Sequence, residues 1–171
     1  AALKQIDTSE YNPLEFVKTN VLGSSNVIRA SIKNNVEKLI ALSTDKAVSP
    51  ANLYGATKLC ADKLFISSNN YYGLQRKTKI SVVRYGNVMG SRGSVIPLFI
   101  DQIKSNKPLT LTDPSMTRFM MSLEESVELV EFAFLNGAPG DTFVKKAPAA
   151  NLMVLAKALL EIFNAKNEIK L

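Results

Sequence analysis

The chain has 171 residues, 46% apolar and 21% charged, a balance that suits an ordinary globular protein with one sizeable core and excludes disorder over most of its length. It has no histidine and a single cysteine, Cys60, which excludes zinc chemistry, a serine–histidine relay and an internal disulfide. The formal charge of +6 admits a polyanionic partner, but lysines and arginines are scattered and often sit beside acids, as in Glu37-Lys38 and Asp62-Lys63. Nucleic acid is therefore not expected as a partner, nor is a membrane; a small phosphate-bearing ligand fits, and so does a basic surface that only serves solubility. No apolar run reaches the ~20 residues that span a bilayer, and the opening residues carry no export pattern, so the expected location is cytoplasmic.

In chain order, Asn12-Pro13 reads as a helix start, and Leu14, Val17, Val21, Ile28 and Ile32 follow at a spacing that predicts one buried face. Asn34-Asn35 can end that helix. The run 38–44 is apolar at consecutive middle positions, the pattern of a strand covered on both faces in a parallel sheet. A second helix is predicted from about Leu53 to Tyr72, stopping at Gly73, and Ile80 to Tyr85 reads as a further strand. Helix, buried strand, helix, strand is the order of a doubly wound α/β sheet.

Beyond Gly86 the rhythm loosens. A short helix is expected near Pro97, a short strand over Leu109 to Thr112, an amphipathic helix over Leu123 to Leu135 and a strand over Thr142 to Lys145. A last helix runs from Asn151, its cap, to Phe163, and Ile169 to Leu171 reads as the beginning of another strand. These elements predict an α/β body over 1–90 and a smaller mixed lobe over 91–171, with the helix at 123–135 packing back on the body.

None of the 8 glycines forms the Gly-x-Gly-x-x-Gly turn that seats a dinucleotide pyrophosphate on a helix N-terminus. The chain is accordingly expected to be part of a longer enzyme and to be inactive by itself.

The segment richest in chemistry is Ser43-Thr44-Asp45-Lys46 followed by Tyr54-Gly55-Ala56-Thr57-Lys58. Tyrosine and lysine at this spacing share a helix face one turn apart, so the ammonium can lie near the phenol and lower its pKa from ~10 toward the working range. Such a pair can take a proton from an alcohol while hydride leaves the same carbon. Taken by itself, Tyr-x-x-x-Lys equally fits a half-buried tyrosine beside a solvated lysine. Its place matters, because Thr44-Asp45-Lys46 falls where a parallel strand ends and the following helix begins, the side on which open α/β sheets bind ligands. Asp45 as a turn cap and Lys46 as a solvated charge is the plainer alternative.

These residues, with the run 84–97 (Arg-Tyr-Gly-Asn-Val-Met-Gly-Ser-Arg-Gly-Ser-Val-Ile-Pro) and Met116-Thr117-Arg118-Phe119, closely resemble the extended short-chain dehydrogenase/reductases. Within them the resemblance is to the inverting UDP-N-acetylglucosamine 4,6-dehydratases of bacterial surface-glycan biosynthesis. It covers essentially the whole chain and implies a Rossmann-like fold whose first strands lie upstream of Ala1.

It also implies bound NADP, a UDP-sugar substrate and a homo-oligomer. Tyr54, assisted by Lys58, would deprotonate the sugar 4-hydroxyl as NADP+ takes hydride; Lys46 would remove the 5-hydrogen and Asp45 would protonate the departing 6-hydroxyl. A lysine base must be neutral to act, which calls for burial or neighbouring cations. Thr44 would bond the 4-oxygen, while Ser43, Tyr54 and Lys58 would contact the cofactor.

Asn87, Arg92, Ser94, Val95 and Arg118 would hold the diphosphate and uridine, the arginines through paired hydrogen bonds; each arginine could instead form a surface ion pair. Asn20 resembles a helix asparagine of the family but could simply bond backbone. Cys60 and Met120-Met121 are expected in the core. The Asp-Lys pair distinguishes the inverting dehydratases from relatives that only epimerise. A nucleotide-sugar 4-epimerase of the same fold and a noncatalytic sugar-nucleotide-binding module are the alternatives.

Overall fold

The computed structural model describes residues 2–71, 77–91 and 93–171 and divides into two compact units. The first takes the chain through Tyr85 and returns for Val127–Lys145; the second takes Gly86–Ser126 and Lys146–Leu171. Gly73, the expected helix terminus, and Arg92 lie outside the described residues.

In the first unit, helices α1 (Ile6–Tyr11), α2 (Pro13–Phe16) and α3 (Gly23–Lys33) lead into strand β1 (Lys38–Thr44), followed by α4 (Leu53–Tyr71) and β2 (Lys79–Tyr85). Between α2 and α3 the chain makes a π-helical segment, Val17–Leu22. Its wider turn shifts the phase of everything after it. The buried positions are Phe16, before that segment, and Asn20 and Ile28, within and beyond it, whereas Leu14 is 61% exposed and Val17 and Val21 are only half-buried, unlike the face expected from apolar spacing. The polar Asn20 is tolerated there because its bonds are all made: its amide donates to Leu3 O at 2.9 Å and Thr57 Oγ1 at 3.1 Å, and its Oδ1 accepts from Leu3 N at 2.9 Å.

Strands β1 and β2 are parallel, and β2 pairs on its other side with β6 (Thr142–Val144), also in parallel, giving the order β1-β2-β6. Ile80 and Val82 of β2 pack with Ala41, Ile28, Ala61 and Phe65, a core shared by β1, α3 and α4. Burying a side chain of this kind contributes ~1.5–3 kcal/mol. The alternate residue Ser81 points to the other face, toward Gly137, the residue after α6 (Leu123–Asn136). The sheet is thus an α/β sheet of parallel strands. Strand β1 is not covered on both faces as its run of apolar residues suggested: Leu42 is 49% exposed.

Cys60 is a second departure, exposed rather than in the core. The buried stripe of α4 runs through Tyr54, Thr57, Ala61, Phe65 and Ser68, and Cys60 lies about 100° back around the helix from Ala61.

The second unit packs α5 (Val95–Lys104) and α7 (Leu152–Ile162) around Phe99, Leu109, Leu152, Ala156 and Leu159. Asn151 caps α7, its Oδ1 accepting from Met153 N at 2.8 Å. Two small sheets complete it: β3 (Asn87–Val88), β5 (Thr117–Met121) and β7 (Ala149–Asn151) in the order β3-β5-β7, and β4 (Leu109–Thr110) paired with β8 (Ile169–Lys170). Met121 is 1% exposed and Met120 half-buried. No helix among the described residues is long and apolar enough to cross a membrane.

Lys38 ties the beginning of β1 to the end of α6. Its ammonium donates to Phe134 O at 2.6 Å and stands 5.3 Å from the centre of the Phe134 ring, placing a cation at the negative end of the helix. Lys38→Met is expected to lower stability by about 1 kcal/mol, read as a shift in the urea midpoint of the protein; an unchanged midpoint contradicts this role.

Candidate functional site

Strands β1 and β2 stay in register from Lys38 opposite Lys79 to Thr44 opposite Tyr85, so Thr44 and Tyr85 finish side by side at the carboxyl ends. The chain leaves β1 in one 3-10 turn, Asp45–Ala47, and Thr44 rather than Asp45 caps it, its hydroxyl accepting from Lys46 N at 3.4 Å. That hydroxyl also donates to Asp45 Oδ1 at 2.9 Å, and Asp45 Oδ1 lies 3.0 Å from Lys46 Nζ. Both side chains of this ion pair stay partly open, Lys46 at 30% and Asp45 at 29%.

The next element is fixed by a close approach. Asn52 caps the first turn of α4 by accepting from Gly55 N at 2.9 Å. A Cβ on Gly55 would collide with the Lys46 carbonyl oxygen and lie 2.9 Å from Pro50 Cβ, so glycine is what lets the start of α4 rest on the turn. That contact brings Tyr54, 9% exposed, close to Thr44, with Asp45, Tyr85 and Asp62 near enough to act on its charge.

The Tyr54 phenol is held above its ordinary pKa, chiefly because burial strips water from the phenolate. Repulsion by Asp45, Tyr85 and Asp62 adds to this, and Thr44 opposes it. Lys58 is driven the other way: burial lowers its pKa, and Asp62 counters that in part. The expected lowering of the phenol by Lys58 is therefore not what the structure gives. The Lys58 ammonium donates to the Leu42 carbonyl at 2.8 Å, and burial with nearby carboxylates decides the state of the tyrosine.

Ser43 precedes this group on β1. It is 4% exposed, and its Oγ has no hydrogen-bond partner among the described residues. A buried hydroxyl left without a partner, close in sequence to a lysine that reaches the β1 backbone, fits a ligand rich in hydroxyl and amide groups such as the ribose and nicotinamide of a dinucleotide. Among the described residues no cluster of acids or cysteine is arranged for a metal ion.

The residues assigned by resemblance to substrate lie in the second unit. Asn87 opens β3 opposite Met120, half-buried. Ser94 stands at the N-cap position of α5, yet its side chain makes no cap bond, and its buried Oγ has no partner among the described residues. Val95, the first residue of α5, packs against the apolar core of its own unit. Arg118 lies on β5 and donates from Nη1 to the neighbouring Thr117 O at 2.8 Å, with no acid paired to it among the described residues.

Sequence reasoning missed Tyr85, Asp62 and Arg84. Asp62 stands four residues beyond Lys58, a spacing that places the two on one helix face.

Two outcomes follow. Gly55→Ala is expected to cost about 1–3 kcal/mol in denaturation and to disturb the Tyr54 environment, because helix or turn must move; a variant with unaltered midpoint refutes the close-contact account. In an alkaline absorbance titration, Tyr54→Phe is expected to remove amplitude from the late part of the phenolate curve. Since the folded value exceeds the unfolded one, the unfolded chain releases this proton first. The stability this group contributes is full below about 10, the unfolded value, and is lost as pH rises from there through the higher folded value.

The sequence model of the family described as "Polysaccharide biosynthesis protein" matches residues 1–171. A protein of Rickettsia rickettsii (strain Sheila Smith) named UDP-glucose 4-epimerase is 57% identical over 170 residues, which is 99% of this chain and 50% of the relative. The chain thus spans about half the length of the curated relatives it matches. Among solved structures, Pen from Bacillus thuringiensis superposes with a TM-score of 0.93 at 46% identity, covering 99% of this chain and 52% of that one. DesIV, a dTDP-glucose 4,6-dehydratase from Streptomyces venezuelae with NAD and TYD bound, has a TM-score of 0.88 at 20% identity, covering 97% and 56%, a likeness of fold. With the match running over every residue of the chain, the protein belongs to the family described as polysaccharide biosynthesis protein.

Proposed function

We propose that the whole protein oxidises carbon 4 of a UDP-linked hexose with a bound nicotinamide dinucleotide, NADP by the sequence resemblance, and that Tyr54 is the base for that step. The observation that carries this reading is the seating of the start of α4, with Tyr54 and Lys58, directly on the Asp45–Ala47 turn at the carboxyl end of β1. Thr44 orients the sugar 4-hydroxyl, and Tyr54 accepts its proton. Because burial keeps the phenol protonated in the unliganded site, the base form needs positive charge nearby, and Lys58 one turn along α4 is placed to supply it. Ser43 and Lys58 hold the ribose and amide of the dinucleotide, which supplies reversible hydride exchange when bound. Asn87, Arg92, Ser94, Val95 and Arg118 hold the UDP moiety.

For the step after oxidation we adopt 4-epimerisation, in which the 4-ketone is reduced on its opposite face. It is supported by the UDP-glucose 4-epimerase name of a relative 57% identical to this chain. A second reading, inverting 4,6-dehydration of UDP-N-acetylglucosamine, is favoured by one observation, the Asp45–Lys46 pair at 3.0 Å. Asp45 would be the acid for the departing 6-hydroxyl and Lys46 the base at carbon 5, roles an epimerase does not need. Either activity belongs in polysaccharide biosynthesis.

Incubating the full-length protein with UDP-glucose and UDP-N-acetylglucosamine and reading the products by NMR separates the two: a 4-epimer supports the first, a 4-keto-6-deoxy sugar the second. Tyr54→Phe is expected to lower turnover by ~10²–10⁴-fold with sugar-nucleotide binding kept. Unchanged turnover eliminates the base assignment and leaves a binding module.

A further inference from the structure

Asp62 stands out because, among the described residues, it is the fully buried charged side chain, at 1% exposure. A carboxylate in such a place is costly unless paired, and apolar residues fill helix–sheet contacts without that cost. The partner is Arg84 of β2, whose Nε donates to Asp62 Oδ2 at 2.8 Å. Arg84 precedes Tyr85, and its strand partner on β1 is Ser43.

The ion pair lies in line with the chemistry of the site. Tyr54, Lys58 and Asp62 recur every four residues of α4, so the three follow one another along one side of the helix. Asp62 acts on both of the others, favouring the charged form of Lys58 and disfavouring that of Tyr54. The groups facing this row are Thr44 at the end of β1, Asp45 after it, and Arg84 and Tyr85 on β2.

We propose that Asp62, clamped by Arg84, is a positioning residue that holds the α4 face carrying Tyr54 and Lys58 against β2 and places a buried negative charge on that face. This rests on Tyr54 being the base. Arg84 neutralises enough of the carboxylate to let it remain buried, and its position on β2 keeps Asp62 at a constant depth beside the sheet.

The test uses the full-length protein and the pH dependence of kcat with the UDP-sugar that it turns over. Asp62→Asn keeps shape and an acceptor for Arg84 but removes the charge. It is expected to leave KM within about twofold while kcat falls about 10-fold or more. Both limbs of the profile should move to lower pH, because the phenol loses a repelling charge and the ammonium loses a supporting one. Asp62→Glu is expected to restore the limbs. If Asp62→Asn does not fold, the double variant Asp62→Asn with Arg84→Gln leaves no lone charge buried and is expected to show the same acidward shift. Limbs that stay where the parent has them, in whichever of these variants folds, overturn the proposal, since a loss of folded protein lowers rate at every pH without moving them. Failure of the base assignment is read separately, from Tyr54→Phe retaining turnover.

Discussion

The site depends on one steric concession, the missing side chain at Gly55. Two parallel strands of equal length bring Thr44 and Tyr85 to the same edge, but that alone would leave the edge lined by backbone. The start of α4 must lie directly on the Asp45–Ala47 turn for Tyr54 to reach Thr44, and the Lys46 carbonyl occupies the space where any Cβ at position 55 would go. Backbone contact replaces side-chain packing there, which fixes the helix start to the turn more rigidly than interdigitating side chains would.

Once Tyr54 is held in that place, its electrostatics follow from burial. Removing water disfavours the phenolate and the ammonium alike, so Tyr54 is pushed up and Lys58 down, each toward its neutral form. Charged neighbours then modulate the two in opposite senses. Asp45, with Lys46 at 3.0 Å, sits at the open side of the group, while Asp62 lies behind it with Arg84. Both carboxylates disfavour the phenolate, one partly exposed and one buried, and each carries its own cation.

The polar buried groups of the first unit serve the same end. Asn20, held by the backbone of Leu3 and by Thr57, places a hydrogen-bonded wedge under the first turns of α4; Thr57 in turn donates to the Tyr54 carbonyl at 2.8 Å. A π-helical turn aims Asn20 inward, where a regular helix would have continued the apolar face. The second unit is organised differently, around an apolar core with short strands, and the buried Ser94 hydroxyl at the head of α5 is its counterpart to Ser43 in the first.

By itself the sequence determined the elements whose signals are local. The run 38–44, the helix from Leu53, the strand ending at Tyr85 and the Asn151 cap could be read because apolar period and cap chemistry act within a few residues. The same local pattern put Tyr54 and Lys58 on one helix face and Asp45-Lys46 at a strand end. What tertiary structure decided involves partners far apart in the chain. β6 joins β2 across some sixty residues, β5 takes the centre of its sheet between β3 and β7, and Arg84 meets Asp62. The burial of Cys60 and Leu42 was misjudged for the same reason: exposure belongs to the surface left after packing, and hydrophobicity along a strand or helix does not say which neighbour will cover it. The state of Tyr54 was the largest such decision, because the spacing to Lys58 set a distance along the helix, whereas the loss of water and the nearby carboxylates that dominate its charge came from strands and a turn folded around it.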